Sequence, residues 1–408
     1  MDKTEFTQIR RFIVKLGKML HKYGTPAFRL EAYLTEIASY LGVRASFIST
    51  PTSLTFVIWS DRHEDEYTHA ARLNPGEQDL NALAKTDALA GKLLKGEINL
   101  SEADAELDHI DALPSPYGRV VTGFGFAIST GAFATLMAAG IREVLISSVL
   151  GLVVYLWTLW AQKSKRVNLM LEPVASFSVA FIASMLSYHY FHGINIWLII
   201  LSSLIILVPG LSLTMGLAEL SSRNLVSGTA RIMDAAMQLF KLYFGAFLGI
   251  YLSVALVGEF TVQVNQPMPF WVQWLGVLGL SLGLVTIFRT QVSDIPWAIL
   301  ATILAYATTK WSSAYLEQGL GAFLGAFALG VFANVFTRMV NKPSTIIAMH
   351  GLIVLVPGSK TYIGLNAFIS GQNFVQADHI GQETFLILMS LVAGLIFANV
   401  VAPTRKAL

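Results

Sequence analysis

Long apolar runs dominate the chain from residue 120 onward and predict membrane-spanning helices. A bilayer core needs roughly 20 apolar residues per helix, and ten segments of the chain meet that length. These segments are 120–140, 143–161, 171–191, 194–217, 232–257, 270–288, 295–314, 319–337, 345–369 and 384–402. We therefore expect a polytopic α-helical membrane protein with about ten transmembrane helices.

The first 118 residues show the shorter apolar pattern of a soluble α/β domain. Apolar positions recur there at helical spacing, and two runs rich in β-branched and aromatic residues predict strands. The last predicted helix has a candidate capping box formed by Ser101 and Asp104. The predicted helices are 5–23, 27–41, 77–95 and 101–112, and the predicted strands are 43–49, 53–59 and 66–73.

Charge divides the chain at the same place. The first 118 residues hold 30 of the 54 charged side chains, although the chain has 408 residues. Over the whole chain 13% of residues are charged, whereas soluble domains carry about 25%. We therefore expect a soluble N-terminal domain over 1–118, a first five-helix membrane repeat over 119–262 and a second over 263–408.

Composition also argues against several classes of function. The net charge of +2 does not indicate nucleic-acid binding, and the absence of cysteine excludes disulfides and thiolate metal sites. The N-terminal domain holds His21, His63, His69 and His109, which match no metal-ligand spacing, so we expect neither a metal nor a cofactor. The first 40 residues lack the apolar core of a cleavable signal peptide.

Basic residues in the short connections predict the orientation of the membrane domain. With a cytoplasmic N terminus, ten Lys or Arg side chains fall on inside connections and two, Arg142 and Lys310, on outside ones. An even number of spans returns both termini to the same side. We therefore expect a multi-pass protein of the cytoplasmic (inner) membrane, with both termini in the cytoplasm.

Two of the predicted spans contain the same interruption. Residues 207–217 read LVPGLSLTMGL and residues 355–365 read LVPGSKTYIGL, so both hold Leu-Val-Pro-Gly and a later Gly-Leu. The offset is 148 residues, or five spans, and an odd number of spans turns the second copy over in the membrane. This pattern predicts two inverted five-helix repeats.

Each interruption predicts a broken helix beside a polar cavity. Proline removes a backbone donor and glycine lets the chain bend, and such breaks persist in hydrocarbon only against protein or water. The half-helix that follows exposes N–H groups with partial positive charge, which favours binding of a carboxylate. The candidate substrate-binding residues are Pro209, Gly210, Ser212, Thr214, Pro357, Gly358, Ser359, Lys360 and Thr361.

Ionisable residues inside a membrane domain are costly and usually functional. Glu219 follows the first break, and Asp234 lies on the next span, three residues after Arg231, with which it could pair. Lys241 lies on the same face as Asp234 and is expected to pair with Glu219 or Asp234. Glu219 and Asp234 are our candidate proton carriers.

These residues resemble the pattern of the threonine/serine exporter family over essentially the whole chain. In the N-terminal domain the matching residues are Gly17–Leu20, Tyr23–Thr25, Arg29–Glu31 and Leu41–Gly42. In the membrane domain they are Val208–Gly210 with Thr214, Leu225–Gly228 with Arg231, and Leu355–Gly358. The chain departs from the family pattern at Glu219, Asn224 and Asp234. The resemblance implies a soluble domain followed by two five-helix halves.

The inverted repeat predicts a secondary transporter rather than an enzyme, and the resemblance implies its substrate. We expect a protein embedded in the lipid bilayer that exports threonine or serine by alternating access, coupled to protons. Export of a dicarboxylate such as succinate is an alternative, because Lys360 would suit a second carboxylate. A membrane-anchored hydrolase or a channel is the alternative of another class, and assembly into a homo-oligomer is left open.

Overall fold

The computed structural model describes residues 3–60, 63–258, 268–356, 358, 362–363 and 380–403. Its first part, residues 3–112, is a head of helices packed on a three-stranded antiparallel sheet with the strand order β1-β2-β3. The elements are α1 (Lys3–Lys22), α2 (Ala27–Tyr40), β1 (Arg44–Thr50), β2 (Ser53–Ser60), β3 (His63–Arg72), α3 (Leu80–Leu94) and α4 (Leu100–Ala112). The predicted order of helices and strands in this part of the chain is confirmed.

The head folds around the face of the sheet that carries its apolar residues. Strand β2 alternates strictly, so that Leu54, Phe56 and Ile58 are buried. Phe12 and Leu16 of α1 belong to the same core. Gly17 permits this packing, because a Cβ there would lie 2.7 Å from Cε1 of Phe56.

The predicted capping box of α4 was wrong by two residues. The box is formed by Asn99, whose side chain accepts from the N–H of Glu102, while the Glu102 carboxylate accepts from the N–H of Asn99. Because Asn99 already ends the extended segment, the helix begins one turn before Asp104. Asp104 pairs instead with Lys15 of α1, at 3.0 Å.

Seven of the described helices are long and apolar enough to cross a membrane. The helices that follow the head are α5 (Arg119–Leu136), α6 (Ile141–Lys163), α7 (Lys165–Leu169), α8 (Leu171–His189), α9 (Ile196–Leu204), α10 (Gly210–Ser221), α11 (Leu225–Val257), α12 (Val272–Ile287), α13 (Ile295–Ser313), α14 (Gln318–Val340), α15 (Thr345–Leu355) and α16 (Ile380–Val401). The seven are α5, α6, α8, α11, α13, α14 and α16. Two of the remaining predicted spans contain the LVPG segments, and the third corresponds to the 16-residue α12.

Glycines let the membrane helices approach one another closely. On α12, a Cβ at Gly283 would lie 2.7 Å from the carbonyl oxygen of Gly125 on α5, and one at Gly276 would lie 3.0 Å from that of Ala132. These pairings run in opposite directions along the two helices, so α5 and α12 pack antiparallel. Gly249 permits the same close packing of α11 on α8, because a Cβ there would lie 2.6 Å from the Phe177 carbonyl oxygen.

The head packs directly on the membrane helices. Its core is continuous with Ala132 of α5, Leu280 and Leu284 of α12, Phe288 and Met349. The apolar core of the head therefore extends onto the helices α5, α12 and α15.

Candidate functional site

The first break lies between α9 and α10. Helix α9 ends at Leu204, and Pro209 adopts φ −80° and ψ 40°. The N–H of Gly210 donates to the Val208 carbonyl oxygen at 2.8 Å, which closes an inverse γ-turn around the proline. Helix α10 begins at Gly210, so the chain is broken where the proline and glycine predict it.

The two breaks contact each other through their glycines. A Cβ on Gly210 would lie 2.6 Å from Cγ1 of Val356 and 3.1 Å from Cα of Gly358. A Cβ on Gly358 would lie 3.2 Å from Cγ1 of Val208 and 3.4 Å from Cα of Gly210. The two contacts are equivalent in the repeat, because Gly358 and Val356 lie 148 residues after Gly210 and Val208. A side chain at Gly210 would therefore force the Val356 side chain to move, and one at Gly358 would be a tight fit against Val208.

A cavity of about 250 Å³, here called the inner cavity, lies beside this contact. Its wall includes the first break from Ile205 to Ser212 and, from the second, Val356 and Gly358. Apolar side chains of other helices complete the wall, namely Phe133, Leu280, Leu284, Phe288 and Ile353. Sites for drug-sized ligands occupy roughly 300–1,000 Å³, so this cavity suits a smaller molecule.

The first turn of α10 gives the inner cavity its polar groups. Among the described residues, no backbone carbonyl accepts a hydrogen bond from the N–H of Leu211 or of Ser212, and both residues line the cavity. Free N–H groups at a helix N terminus carry partial positive charge and favour an anionic group such as a carboxylate. The Ser212 side chain places a hydroxyl on the same helical turn.

The predicted site residues divide into three groups. Pro209, Gly210, Ser212 and Gly358 line the inner cavity. Thr214 is buried and donates to the Gly210 carbonyl oxygen at 3.2 Å, so its hydroxyl bonds the backbone of α10 and is absent from the cavity wall. The predicted residues Pro357, Ser359, Lys360 and Thr361 lie outside the described residues.

Two glutamines of the cavity wall were not predicted from the sequence. Gln238 of α11 lines the cavity and donates to the Asp234 carboxylate at 2.9 Å. Gln78 lines it from the head, together with Gly76. Neither glutamine is charged or part of a motif. The one available signal was the position of Gln238, one helical turn after Asp234.

Glu219 lies at the far end of α10 and is fully buried. Its carboxylate accepts from Nε and Nη2 of Arg231, at 3.2 and 2.9 Å, and from the Ser227 hydroxyl at 2.8 Å. It also accepts, at 3.0 Å, from the N–H of Ala27, the first residue of the head helix α2. The helix terminus adds favourable partial charge to this contact. Glu219 therefore joins the head to the membrane domain.

The other intramembrane charges pair differently from the sequence prediction. Arg231 binds Glu219, so the predicted pair of Arg231 with Asp234 was wrong. Asp234 is exposed and accepts from the side-chain amide of Gln238 at 2.9 Å. Lys241 pairs with Glu172 of α8 at 3.6 Å, not with Glu219 or Asp234.

Further polar contacts fix the head. Glu31 accepts from the N–H of Ser49 at 2.7 Å and from Nδ2 of Asn224 at 3.1 Å, and burial raises the pKa of its carboxyl group. His21 donates from Nε2 to the Thr50 carbonyl oxygen at 3.0 Å, and burial lowers the pKa of its imidazole. Both groups lie near the junction of head and membrane domain.

Family comparisons place the two halves of the chain in related groups. Residues 11–253 match the family model described as "Putative threonine/serine exporter". Residues 273–401 match the one described as "Threonine/Serine exporter, ThrE". No solved structure matches the chain.

Curated relatives are fungal membrane proteins. The chain is 26% identical over 362 residues to pheromone-regulated membrane protein 10 of Eremothecium gossypii, which covers 86% of this chain and 48% of that protein. It is 25% identical over 374 residues to the protein of the same name from Saccharomyces cerevisiae. That match covers 90% of this chain and 48% of the yeast protein. The chain thus spans about half the length of these relatives. By the family models that match its two halves, the chain belongs to the threonine/serine exporter family of multi-pass membrane proteins.

Proposed function

We propose that the protein is a secondary transporter that exports threonine or serine across the cytoplasmic membrane by alternating access. The observation that carries this proposal is the contact of the two LVPG segments beside a small cavity, into whose wall α10 brings N–H groups that no described backbone carbonyl accepts from. Such a helix terminus suits the α-carboxylate of an amino acid. The hydroxyl of Ser212 can bond the substrate hydroxyl or ammonium group, and family membership supports the choice of substrate.

Alternating access would arise from two inverted halves of five spans each, with both termini in the cytoplasm. The reciprocal contacts of Gly210 and Gly358 support this arrangement. So does a second pair of contacts near the same offset. Glu143 of α6 accepts from the N–H of Asn195 before α9, at 3.3 Å, and Asp294 before α13 pairs with Lys342 before α15, at 2.5 Å.

Proton coupling is assigned first to Asp234. Its carboxylate is exposed and bonds Gln238, whose side chain belongs to the wall of the inner cavity. A proton on Asp234 would therefore change a hydrogen bond beside the substrate. Glu219, the second candidate, accepts from four donors at once. That set of contacts favours a structural role for Glu219, in which its carboxylate holds the head on the membrane domain.

Counterflow in proteoliposomes tests the function. Vesicles that hold the full chain and are preloaded with unlabelled threonine should accumulate external labelled threonine transiently, and serine should compete. A proton gradient should accelerate net export, and Asp234→Asn should abolish that acceleration while counterflow continues. Uptake of succinate alone would favour the dicarboxylate alternative. Unsaturable electrical conductance would favour a channel, and uptake of none of the three would refute the substrate proposal.

A further inference from the structure

The loop between β3 and α3, residues 73–79, separates two cavities. We call it the head loop. On one side lies the inner cavity, and on the other an outer cavity of about 640 Å³, bounded largely by the head and by Arg289. Gly76 lines both cavities, Gln78 lines the inner one, and Glu77 and Asp79 line the outer one. The two cavities have no other lining residue in common.

Hydrogen bonds and ion pairs hold the head loop between the cavities. The N–H of Leu73 donates to the Thr52 carbonyl oxygen at 2.9 Å, and Glu77 pairs with Arg289 at 3.8 Å. The N–H of Glu77 donates to the Lys22 carbonyl oxygen at 3.0 Å. At the loop's end, Asp79 pairs with Arg289 at 2.8 Å, and the N–H of the next residue donates to the Phe288 carbonyl oxygen at 3.0 Å. Gly76 lies so close to the end of α1 that a Cβ there would be 2.0 Å from the His21 carbonyl oxygen.

The outer cavity carries charges of both signs. Lys18 and Lys85 contribute positive charge to its wall, and Glu77 and Asp111 contribute negative charge. A free amino acid is a zwitterion, with an ammonium and a carboxylate on adjacent atoms. A wall with charges of both signs can attract such a molecule without binding it as strongly as a wall of one sign binds an ion of opposite charge.

We infer that the head forms part of the substrate path. The outer cavity is an entry chamber for small zwitterions, the head loop is the boundary that the substrate passes, and Gln78 is a substrate-contacting residue. This inference rests on the proposed function. The Gln78 amide has both a donor and an acceptor, so it can bond a carboxylate, an ammonium group or a hydroxyl from the side opposite the first turn of α10.

Single cysteines test this inference, because the chain contains no cysteine of its own. Gln78→Cys, in the reconstituted full chain, is treated from the head side with a membrane-impermeant methanethiosulfonate. Glu106→Cys, at an exposed position of the head helix α4 that lines neither cavity, is the control. Saturating threonine should slow labelling at position 78 at least threefold and leave labelling at position 106 unchanged. Arg289→Gln, which removes the ion pairs with Asp79 and Glu77, should accelerate labelling at position 78 in the absence of threonine.

Transport kinetics give a second measurement that does not depend on labelling. Gln78→Ala should raise KM for threonine several-fold with a smaller effect on kcat, and Gln78→Asn should recover part of the loss. The inference would be overturned if threonine did not change the labelling rate at position 78 and Gln78→Ala left KM unchanged. The proposed function would still stand if the wild-type chain showed counterflow. A wild-type chain that transports neither threonine nor serine would overturn both.

Discussion

The molecule contains two junctions of opposite chemistry. The breaks meet backbone to backbone through Gly210 and Gly358, with valine side chains beside them. The head meets the membrane domain through hydrogen bonds and ion pairs, including the bond from the Ala27 N–H to the buried Glu219 carboxylate and the pair of Asp79 with Arg289. The first junction is a close packing of backbone and valine side chains, whereas the second is a defined set of hydrogen-bond donors and acceptors.

This difference indicates different tasks for the two junctions. Among the described residues no backbone hydrogen bond joins the two breaks, so a shift of one segment against the other there costs little energy. A buried carboxylate with four donors has a single favourable position, and displacing one partner leaves charge uncompensated. We therefore expect the breaks to be sensitive to added volume and the head junction to be sensitive to removed charge.

The largest effect on transport is expected from added volume at the breaks. Gly210→Ala places a methyl group 2.6 Å from Cγ1 of Val356 and 3.1 Å from Cα of Gly358. Overpacking of this kind costs about 1–3 kcal/mol, so counterflow should fall roughly tenfold or more. Gly91→Ala is the control, because a Cβ at Gly91 in α3 meets nothing within 4 Å. Wild-type counterflow in Gly210→Ala would remove the steric argument for this junction.

The largest effect on stability is expected from removal of charge at the head junction. Glu219→Ala leaves Arg231 and the N–H of Ala27 without their acceptor, and loss of one partner of a buried ion pair costs roughly 3–5 kcal/mol. Thermal unfolding in detergent should begin at a lower temperature, and protease should cleave between head and membrane domain faster. Glu97→Ala removes only an exposed pair with Lys95 and should change neither property. Unchanged protease resistance in Glu219→Ala would contradict the assigned role of Glu219.

A change of pH should weaken the same junction to a smaller extent. Burial lowers the pKa of His21 from 6.5, and Arg231 opposes its protonation while Glu219 favours it. The unfolded head therefore takes up a proton at a higher pH than the folded head. Stability should decrease as pH falls below about 6.5 toward the lowered pKa.

The measurement is the temperature at which the head unfolds, followed across this pH range. His21→Gln retains a side-chain donor for the Thr50 carbonyl group and should flatten the pH dependence. His109→Gln, on the head helix α4, is the control and should leave the dependence unchanged. A wild-type slope of opposite sign would show that His21 is protonated in the folded head.

The smallest effect is expected from a single hydroxyl at the breaks. Ser212→Ala removes one hydrogen bond to substrate, worth about 0.5–1.5 kcal/mol, so KM for threonine should rise about two- to tenfold. Ser221→Ala, at the opposite end of α10, is the control, because its hydroxyl bonds the Ala218 carbonyl group. A larger effect of Thr214→Ala than of Ser212→Ala would place the substrate on a different face of α10.

Local patterns predicted the elements of this fold, and distance along the chain limited the rest. The alternation in β2 and the long apolar runs act over a few residues, so the head sheet and seven long helices follow from them. The breaks were predictable because proline and glycine act on their own backbone. The capping box of α4 was misplaced because Asn99 and Ser101 are both suitable caps, and only packing selects between them.

The candidate site was predictable only in part, for the same reason. Ser212 and the glycines follow from the repeat, whereas the bond from Ala27 to Glu219 joins residues 192 positions apart. Arg29 and Glu31, which carried the family resemblance in the head, contact Ser344 and Asn224 of the membrane domain. No periodicity in the head indicates that partner. Gln78 is uncharged and lies in a loop, so its approach to the breaks required the folded structure.

Helix α10 connects the inner cavity to the head, because its two ends contact one and the other. Its first turn lines the cavity, and Glu219, about 14 Å further along the helix axis, holds the start of α2. The head also contributes Gln78 to the wall of the same cavity. A short helix transmits displacement as a rigid rod, so a substrate that shifts the first turn of α10 also pulls on the domain that covers it. Helix α10 would then couple substrate binding in the inner cavity to the position of the head.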